Sequence, residues 1–220
     1  MPATSDRAGV LQFVAARIPP SDGDFCPRVA IDGPDGAGKT RFADDLAAVL
    51  RARRRPVVRV SVDGFHHPRA IRHRRGRNSP EGFWSDSYDY ARFRADVLDP
   101  FGPNGSRCYR VAANDVATDT PLTLEPQLAE PGAVLVVDGI FLQRHELADA
   151  WDLTVFLDAP FTETAKRMAG RDGTDPDPEH PRTRRYVAGQ RLYYAACDPQ
   201  RRADILIDNA DFDAPRVLRG

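Results

Sequence analysis

Apolar residues along the chain follow two patterns that alternate. Short, nearly continuous apolar runs are typical of strands buried on both faces, and they predict strands at 28–32, 56–62, 133–139, 153–159 and 203–209. Apolar residues three or four positions apart predict amphipathic helices at 7–18, 40–54, 89–99, 161–170 and 183–197. This alternation predicts an α/β protein with a mostly parallel five-stranded sheet and helices on both faces.

Breaks in the pattern of apolar residues indicate how the chain is organised. Residues 1–24 are expected to form an N-terminal helix and a linker, because the stretch PPSDGDFCP interrupts the chain after the first helical pattern. Residues 25–220 are expected to form the main domain. Within it, 101–127 holds several Gly, Pro, Asn and Asp residues and is predicted to be a loop or a small hairpin.

Composition narrows the class of protein. The chain has 220 residues, 41% of them hydrophobic, and a net charge of −1, which suits one α/β domain. The balanced charge argues against binding nucleic acid by general electrostatic attraction. No stretch resembles a signal peptide or a membrane span, so we expect a cytoplasmic protein with no membrane partner. Three widely spaced cysteines suggest reduced thiols.

The stretch between the first strand and the second helix has the residue types of a phosphate-binding loop. Gly33, Gly38, Lys39 and Thr40 match G-x-x-x-x-G-K-[ST], the Walker A motif. In this composition the motif would arise by chance in about one chain in a thousand. The chain has 29 arginines and only two lysines, Lys39 and Lys166, so a lysine at this position is notable. The alternative is a strand-to-helix turn that binds no ligand.

The physics of phosphate binding explains this pattern. Phosphate oxygens need several N–H donors in a small space, and glycine lets the backbone turn tightly and approach without a Cβ. The following helix adds unpaired N–H groups and the positive end of its dipole. Lys39 is expected to reach the β- and γ-phosphates, and Thr40 to offer its hydroxyl to Mg²⁺. The predicted nucleotide contacts of the loop are Gly33, Pro34, Asp35, Gly36, Ala37, Gly38, Lys39 and Thr40.

Two aspartates follow predicted strands, at the edge where parallel sheets bind ligands. Asp138 ends the apolar run VLVV and is expected to hold Mg²⁺ with Thr40. Asp63 ends the second strand. If that strand neighbours the first, Asp63 faces the γ-phosphate and can accept the proton of an attacking hydroxyl. For each aspartate the alternative is an Asp-Gly turn. His66 and His67 lack a third ligand for a metal site, which leaves substrate contact or plain surface.

These stretches together resemble a known family. GPDGAGKT, VDGFHH and VVDGIF, with RMAGRD and ADILIDN, are similar to the uridine kinase, phosphoribulokinase and pantothenate kinase branch of P-loop kinases, over about residues 28–210. The resemblance implies the P-loop NTPase fold with a small lid and acceptor-side insertions, and it implies ATP and Mg²⁺ as cofactors. It also implies that Asp63 is the base that activates the acceptor hydroxyl and that Asp138 lies near the magnesium ion.

The resemblance extends to the acceptor side and to a mobile lid at about 171–185. EGFWSDSYDYARF is similar to the segment of uridine kinases that supplies an aspartate to the sugar, which implies Asp86 or Asp89. In the lid region, arginines that close over the transferred phosphoryl group offset its developing charge. The alternative is a solvated arginine-rich face. The arginines concerned are Arg167, Arg171, Arg182, Arg184 and Arg185.

The sequence departs from the uridine kinase pattern. Uridine kinases carry Glu where Asp138 stands, and they carry a Tyr followed by His and Arg for the pyrimidine, whereas CYRVAANDVATD offers Tyr109 without a His. Thymidylate kinases, whose loop is also similar, place an Asp-Arg pair after the second strand, and VDGFHH lacks it. The basic stretch 68–77 is expected either to be a solvated loop or to bind a phosphorylated or acidic substrate.

We therefore expect an ATP-dependent kinase that transfers the γ-phosphoryl group to a hydroxyl of a small molecule. The acceptor stays open between a nucleoside such as uridine, a sugar and a pantothenate-like molecule. The alternatives are a nucleoside monophosphate kinase and a non-catalytic nucleotide-binding switch. Homo-oligomer formation also stays open. The predicted catalytic residues are Asp63, Lys39 and Arg171, and the predicted substrate contacts are Asp63, His66, Asp86, Tyr109 and Arg182.

Overall fold

The computed structural model describes residues 6–21, 23 and 25–220, so residues 1–5, 22 and 24 of the predicted N-terminal segment lie outside the described residues. A single large sheet organises the chain. Its strands are β1 (Arg28–Asp32), β2 (Val57–Ser61), β3 (Val134–Asp138), β4 (Leu153–Asp158), β5 (Ile205–Asp208) and β6 (Arg216–Arg219). They lie in the order β6-β5-β4-β1-β3-β2. The first five strands are parallel, as the apolar runs predict, and β6 adds an antiparallel edge to β5.

The position of β2 differs from the arrangement in which the second strand neighbours the first. β3 lies between them and pairs with both. Every residue of β3 is buried, whereas burial alternates along β2. A strand that is apolar on both faces gains most from a central position, and a strand with alternating polarity suits an edge. The two aspartates that follow these strands nevertheless share the carboxyl edge of the sheet with the end of β1.

The helices labelled α1 to α6 surround the sheet. They are α1 (Arg7–Arg17), α2 (Lys39–Ala52), α3 (Pro80–Asp86), α4 (Tyr90–Phe93), α5 (Phe161–Asp172) and α6 (Arg184–Cys197). α4 continues as a π-helix at Arg94–Leu98 and a 3₁₀ turn at Asp99–Phe101. One-turn α-helices also lie at Arg69–Arg72 and Pro199–Arg202, and 3₁₀ turns lie at Val62–Phe65 and His145–Leu147. In the described part of the chain, no helix has both the length and the apolar character to span a membrane.

The segment predicted as a loop or small hairpin forms two minimal antiparallel pairs. Cys108–Tyr109 pairs with Gln127–Leu128, and Asn114–Asp115 pairs with Thr120–Pro121. The inner pair is fastened to the main domain because the N–H of Ala113 donates to the carbonyl oxygen of Gly64 at 2.8 Å. This insertion therefore packs beside the turn that follows β2.

Two apolar cores cover the two faces of the sheet. On one face, α1 and α2 bury side chains such as Val14, Phe42 and Leu46 against β1 and β4. On the other face, aromatic side chains from α6 and the acceptor-side segments dominate, with Tyr193 and Phe141 fully buried. The N-terminal helix is thus part of the domain core, and Asp6 caps it by accepting from the N–H of Gly9.

The packing of α1 predicts that its apolar face contributes substantially to stability. Leu11 is 6% exposed and belongs to the core between α1 and the sheet. Leu11→Ala is expected to lower the free energy of unfolding by about 2–5 kcal/mol, because it leaves a cavity. Gln12→Ala, on the exposed face of the same helix, is expected to change it by less than about 0.5 kcal/mol. Urea unfolding of both variants checks this, and equal effects would contradict the packing of α1.

Candidate active site

The loop between β1 and α2 is built on glycines with left-handed backbone. Gly33, Gly36 and Gly38 have φ angles of 150°, 78° and 86°. A Cβ on Gly33 would lie 2.5 Å from the carbonyl oxygen of Leu157, and one on Gly36 would lie 2.6 Å from that of Thr164. Because backbone atoms cannot move aside, both positions require glycine. The loop therefore approaches β4 and α5 closely while it turns into α2.

The loop leaves N–H groups without a protein acceptor. Among the described residues, none accepts a hydrogen bond from the N–H groups of Gly36, Gly38, Lys39 and Thr40. These four residues line a cavity of about 390 Å³ at the first turn of α2. The Lys39 ammonium donates to the carbonyl oxygen of Pro34 at 2.8 Å, across the loop. Free N–H groups, the helix dipole and an ammonium together favour a polyanion in this cavity.

Other segments hold the loop in shape. The N–H of Asp35 donates to Gln190 Oε1 on α6 at 2.8 Å. The carbonyl oxygen of Ala37 accepts from Asn209 Nδ2 at 2.6 Å, just after β5. Burial raises the pKa of the Asp35 carboxyl, and the nearby Lys39 ammonium opposes that rise. The loop is thus fixed from α6 and from the end of β5, which preorganises its free N–H groups.

Asp32 ends β1 and is fully buried beneath the loop. Its carboxylate accepts from the N–H of Gly33 at 2.7 Å, from the N–H of Gln143 at 3.1 Å and from the Tyr193 hydroxyl. Burial raises the pKa of Asp32 to about 6, although the Tyr193 hydroxyl, these N–H groups and the Lys39 ammonium all lower it. One buried carboxyl therefore ties the phosphate loop to α6 and to the segment after β3.

Thr40 and Asp138 meet at the edge of the sheet. The Thr40 hydroxyl donates to Asp138 Oδ2 at 2.6 Å, and Arg59 Nη2 on β2 donates to Asp138 Oδ1 at 2.9 Å. Asp138 is only 2% exposed, so Arg59 compensates a carboxylate that water barely reaches. A hydroxyl and a carboxylate oxygen at this spacing are the hard ligands that Mg²⁺ prefers, so the donor set fits this ion.

The surrounding donors do not form a complete metal cage. Among the residues that the structure describes, no three His, Cys, Asp or Glu side chains are grouped closely enough to hold a metal ion. Mg²⁺ usually takes only one or two protein carboxylates and completes its shell with phosphate oxygens and water. Thr40 and Asp138 are therefore suited to a magnesium ion that arrives with a nucleotide.

Asp63 lies across the same cavity from the phosphate loop. It lines the cavity together with Lys39, Thr40 and Asp138 although β3 separates β2 from β1. Its Oδ1 accepts from the buried Tyr88 hydroxyl at 2.8 Å, while the residue itself stays exposed. The carboxylate is thus held on one side by Tyr88 and open on the other, where a substrate hydroxyl can approach.

His66 lies immediately beside this aspartate. Its Nδ1 is 2.8 Å from the carbonyl oxygen of Asp63, and its ring centroid is 4.4 Å from that of Tyr88. Burial lowers the pKa of His66, against the opposing effect of Asp63. His66 does not line the cavity around Asp63, but it lines a smaller cavity of about 220 Å³.

Two arginines of α5 reach the cavity in different ways. Arg167 stacks its guanidinium 3.6 Å from the ring centroid of Phe212 and donates to the carbonyl oxygens of Gly36 at 3.3 Å and Ala210 at 2.6 Å. Arg171 pairs with the neighbouring Asp172, is 69% exposed and also lines the cavity. Arg167 is thus bound to the loop itself, whereas Arg171 is free to reorient towards a ligand.

Arg182 lines a second cavity, of about 780 Å³, which Asp63 does not line. This cavity adjoins the smaller one that His66 lines, because both share Arg72 and Arg185. The residues around the second cavity are Arg69, Arg72, His73, Arg77, Asn78, Val116, Arg182, Arg185 and Tyr186. Arg182 is therefore brought near the cavity that His66 lines but not to the phosphate loop.

Two predicted substrate contacts are not brought to these cavities. Asp86 is 2% exposed, and its carboxylate accepts from Arg74 at 2.5 Å and Arg75 at 2.9 Å, whose guanidinium groups lower its pKa. Tyr109 is buried in the small insertion, where its hydroxyl donates to Gln127 at 3.0 Å. Both side chains are satisfied by the protein, and neither lines a described cavity around Asp63.

Several residues of the site escape sequence reasoning. From the sequence, Tyr88 is expected to pack among aromatic side chains. The hydrogen bond from its hydroxyl to Asp63 follows only from the fold. Arg59 interrupts the apolar run at 56–62, and its ion pair with Asp138 follows only from the fold. Phe212 lies in a polar stretch after the last predicted strand. Its ring is the group that a Cβ added to Gly38 would meet first. Only tertiary proximity identifies these contacts.

The fold is shared with solved structures that are named as kinases. No model of a protein family matches the chain, and no curated protein is similar enough in sequence to serve as a relative. Among solved structures, a protein described as a possible uridine kinase from Bacillus stearothermophilus is 22% identical, with a TM-score of 0.69. The match covers 89% of this chain and 96% of that one.

Two other solved structures give the same result. A candidate fructose transport system kinase from Silicibacter sp. TM1040 is 23% identical, with a TM-score of 0.70 over 87% of this chain and 95% of that one. D-glycerate 3-kinase from Cryptococcus neoformans is 12% identical, with a TM-score of 0.53 over 87% of each chain. At these identities the similarity establishes the fold alone.

The buried Asp32 predicts a specific pH dependence of stability. Its pKa in the folded protein is about 6 against 3.8 in the unfolded chain, so the folded state holds a proton that the unfolded state has released. Its stabilising contribution is present below pH 3.8 and is lost as the pH rises through about 6. Between pH 4 and pH 7 the loss is about 2 kcal/mol.

Asp32→Asn removes this titration. The free energy of unfolding of the natural protein, minus that of the variant, is expected to fall by about 2 kcal/mol between pH 4 and pH 7. Urea unfolding across this range measures the difference, and other titrating groups cancel because both proteins contain them. Parallel pH profiles would contradict the raised pKa.

Proposed function

We propose that the protein is a kinase that transfers the γ-phosphoryl group of ATP to a hydroxyl of a small molecule. The observation that carries this proposal is that Asp63 and the phosphate loop line one cavity of about 390 Å³. A nucleotide-binding module needs the loop, but it has no need of an open carboxylate across from it. The solved structures with the same fold are named as kinases, which is consistent with this reading.

In the proposed reaction, the loop N–H groups and Lys39 hold the β- and γ-phosphates. The acceptor hydroxyl lies between Asp63 and the γ-phosphorus. The acceptor oxygen forms a bond to phosphorus, its proton passes to Asp63, and the bond between phosphorus and the β–γ bridging oxygen breaks to release ADP. The Tyr88 hydroxyl on Oδ1 keeps the other oxygen of Asp63 turned to the acceptor.

Thr40 and Asp138 would hold the Mg²⁺ that accompanies ATP. A bound Mg²⁺ supplies positive charge that offsets the negative charge developing on the phosphate oxygens. The chain's own part is to orient the two oxygens. Thr40 lies in the first turn of α2, and Arg59 holds the Asp138 carboxylate from the opposite side.

Arg171 and the segment between α5 and α6 are proposed to act as the lid. Arg171 is exposed and already lines the cavity, so a change of rotamer suffices to bring its guanidinium to the transferred group. Closure of such a segment excludes water and so limits hydrolysis of ATP. Arg167 has a different proposed role, because its bonds to Gly36 and Ala210 hold the nucleotide side of the cavity in place.

The base assignment predicts that Asp63→Asn separates catalysis from binding. The variant keeps the shape and the bond from Tyr88 but cannot accept a proton, so we expect kcat to fall by about 10²–10⁴-fold. ATP affinity is expected to be unchanged, because the loop contacts remain. A coupled ADP-release assay and calorimetry measure these two quantities.

Asp149→Asn is the matched control, since Asp149 is exposed, pairs with Arg94 and lies outside the cavity. Its turnover is expected to equal that of the natural protein. Undiminished turnover by Asp63→Asn would refute the role of Asp63 as the base.

The magnesium assignment predicts a selective effect of Thr40→Val. This change keeps the volume of the side chain and removes the hydroxyl, so the Mg²⁺ concentration that gives half-maximal activity is expected to rise by about 10-fold or more. Thr40→Ser keeps the hydroxyl and is expected to behave like the natural protein. Magnesium titrations at fixed ATP compare the two, and equal requirements would exclude Thr40 as a ligand.

A further inference from the structure

The second cavity has a strongly positive lining. Five arginines surround its volume of about 780 Å³. Arg69, Arg72 and Arg77 come from the segment that follows β2, Arg182 comes from the segment between α5 and α6, and Arg185 comes from the first turn of α6. The segment after β2 already touches α6, because Arg185 Nη1 donates to the carbonyl oxygen of Arg77. An anion in this cavity would therefore contact the acceptor side and the proposed lid together.

The positive charge of the cavity is largely uncompensated. Neighbouring Arg74 and Arg75 both pair with the buried Asp86, so they show how this chain pairs arginines that serve structure. In the second cavity, Asp119 is the carboxylate partner that the structure shows, at 3.5 Å from Arg72. Across the described residues, no hydrogen bond or ion pair engages the guanidinium groups of Arg69, Arg77 and Arg182.

His73, which also lines the cavity, responds to this charge. Its pKa is lowered, first by burial and then by the guanidinium groups of Arg185, Arg72, Arg77 and Arg69. Several like charges held close together without carboxylates raise the energy of the free protein. An anionic ligand would relieve that repulsion, and guanidinium forks match the oxygens of phosphate in paired hydrogen bonds.

The second cavity leads towards the proposed base. The smaller cavity of about 220 Å³ is lined by Arg72 and Arg185 of the arginine cluster and by His66, whose Nδ1 is 2.8 Å from the carbonyl oxygen of Asp63. A small molecule could therefore place one end at the arginines and a hydroxyl at Asp63. The volume of the second cavity lies within the usual range for small-molecule sites.

We propose that the acceptor is a phosphorylated alcohol, whose phosphate monoester binds Arg69, Arg72, Arg77, Arg182 and Arg185 while its free hydroxyl faces Asp63. This inference rests on the proposed kinase function and specifies its substrate class. The acceptor oxygen attacks the γ-phosphorus, its proton goes to Asp63, and ADP leaves. The product carries two separate phosphate monoesters, because the phosphate at the arginines does not react.

Binding of inorganic phosphate tests the arginine site apart from catalysis. We expect added phosphate to raise the pKa of the His73 imidazole, followed by NMR, because the anion offsets the surrounding guanidinium charge. Arg77→Ala and Arg182→Ala are each expected to weaken this effect by about 10-fold or more. Arg51→Ala, an exposed arginine near the far end of α2, is the matched control and is expected to leave it unchanged. A His73 pKa that ignores phosphate would overturn the proposal.

Turnover with paired acceptors tests the substrate class. The natural protein is given ATP and a panel of pentoses and hexoses, each as the free sugar, the terminal monophosphate and the aldonic acid. We expect turnover of a monophosphate, with a KM that rises about 10-fold or more in Arg77→Ala and Arg182→Ala, while the KM for ATP stays constant. ³¹P NMR is expected to show two monoesters.

The other outcomes separate this inference from the kinase function. Turnover of free sugars or aldonic acids in preference to the monophosphates would overturn the inference and leave the kinase function standing. An anhydride product would also overturn it, since the acceptor phosphate itself would have reacted. A His73 response to phosphate, with no turnover of any hydroxyl acceptor and Asp63→Asn indistinguishable from the natural protein, would leave the anion site supported and refute the kinase function.

Discussion

The site depends on one constraint, the close approach of a glycine-rich loop to β4 and α5 at the point where β1 passes into α2. Gly33 and Gly36 have left-handed backbone and no room for a Cβ, so the turn has a single shape. That shape leaves N–H groups unpaired around a cavity and starts α2 with its positive end towards it. The buried Asp32, Gln190 and Asn209 hold the loop from three sides.

The same edge of the sheet accounts for the other charged groups. Asp138 and Asp63 follow neighbouring parallel strands, so the fold brings both to the cavity without any local motif between them. The surroundings of the two carboxylates differ, and this difference suits them to different roles. Asp138 is buried and held by Arg59 and Thr40, which suits a carboxylate that positions a cation. Asp63 is exposed and held by Tyr88 alone, which suits a carboxylate that meets a substrate.

Patterns that are local in the sequence predict the fold well. Apolar runs predict β1, β2, β3, β4 and β5, and the strand–glycine loop–helix motif predicts the end of β1 and the start of α2 at Lys39. The rank of β2 in the sheet is not a local property, since it depends on how its alternating pattern competes with the wholly apolar β3. The edge strand β6 is short and polar, and it forms only because β5 offers a free edge.

Side-chain partners are harder to predict than elements. An aspartate such as Asp86 has the same local signal whether it meets a sugar or two arginines, and here it is buried against Arg74 and Arg75. The same holds for the arginines of the basic stretch that follows β2. Which of them are paired and which are unpaired depends on the fold, because the fold brings Asp86 and the proposed lid beside them. Charge compensation across distant segments therefore decides which candidate residues are free for a ligand.

The most direct test of the central claim is the response of the loop's own N–H groups to nucleotide. In ¹H–¹⁵N NMR spectra, adding ATP with Mg²⁺ is expected to shift the amide resonances of Gly36, Gly38, Lys39 and Thr40 strongly, because these donors gain phosphate acceptors. Amides on β6, at the far edge of the sheet, are expected to stay in place. Loop resonances that do not move at saturating ATP would contradict the account.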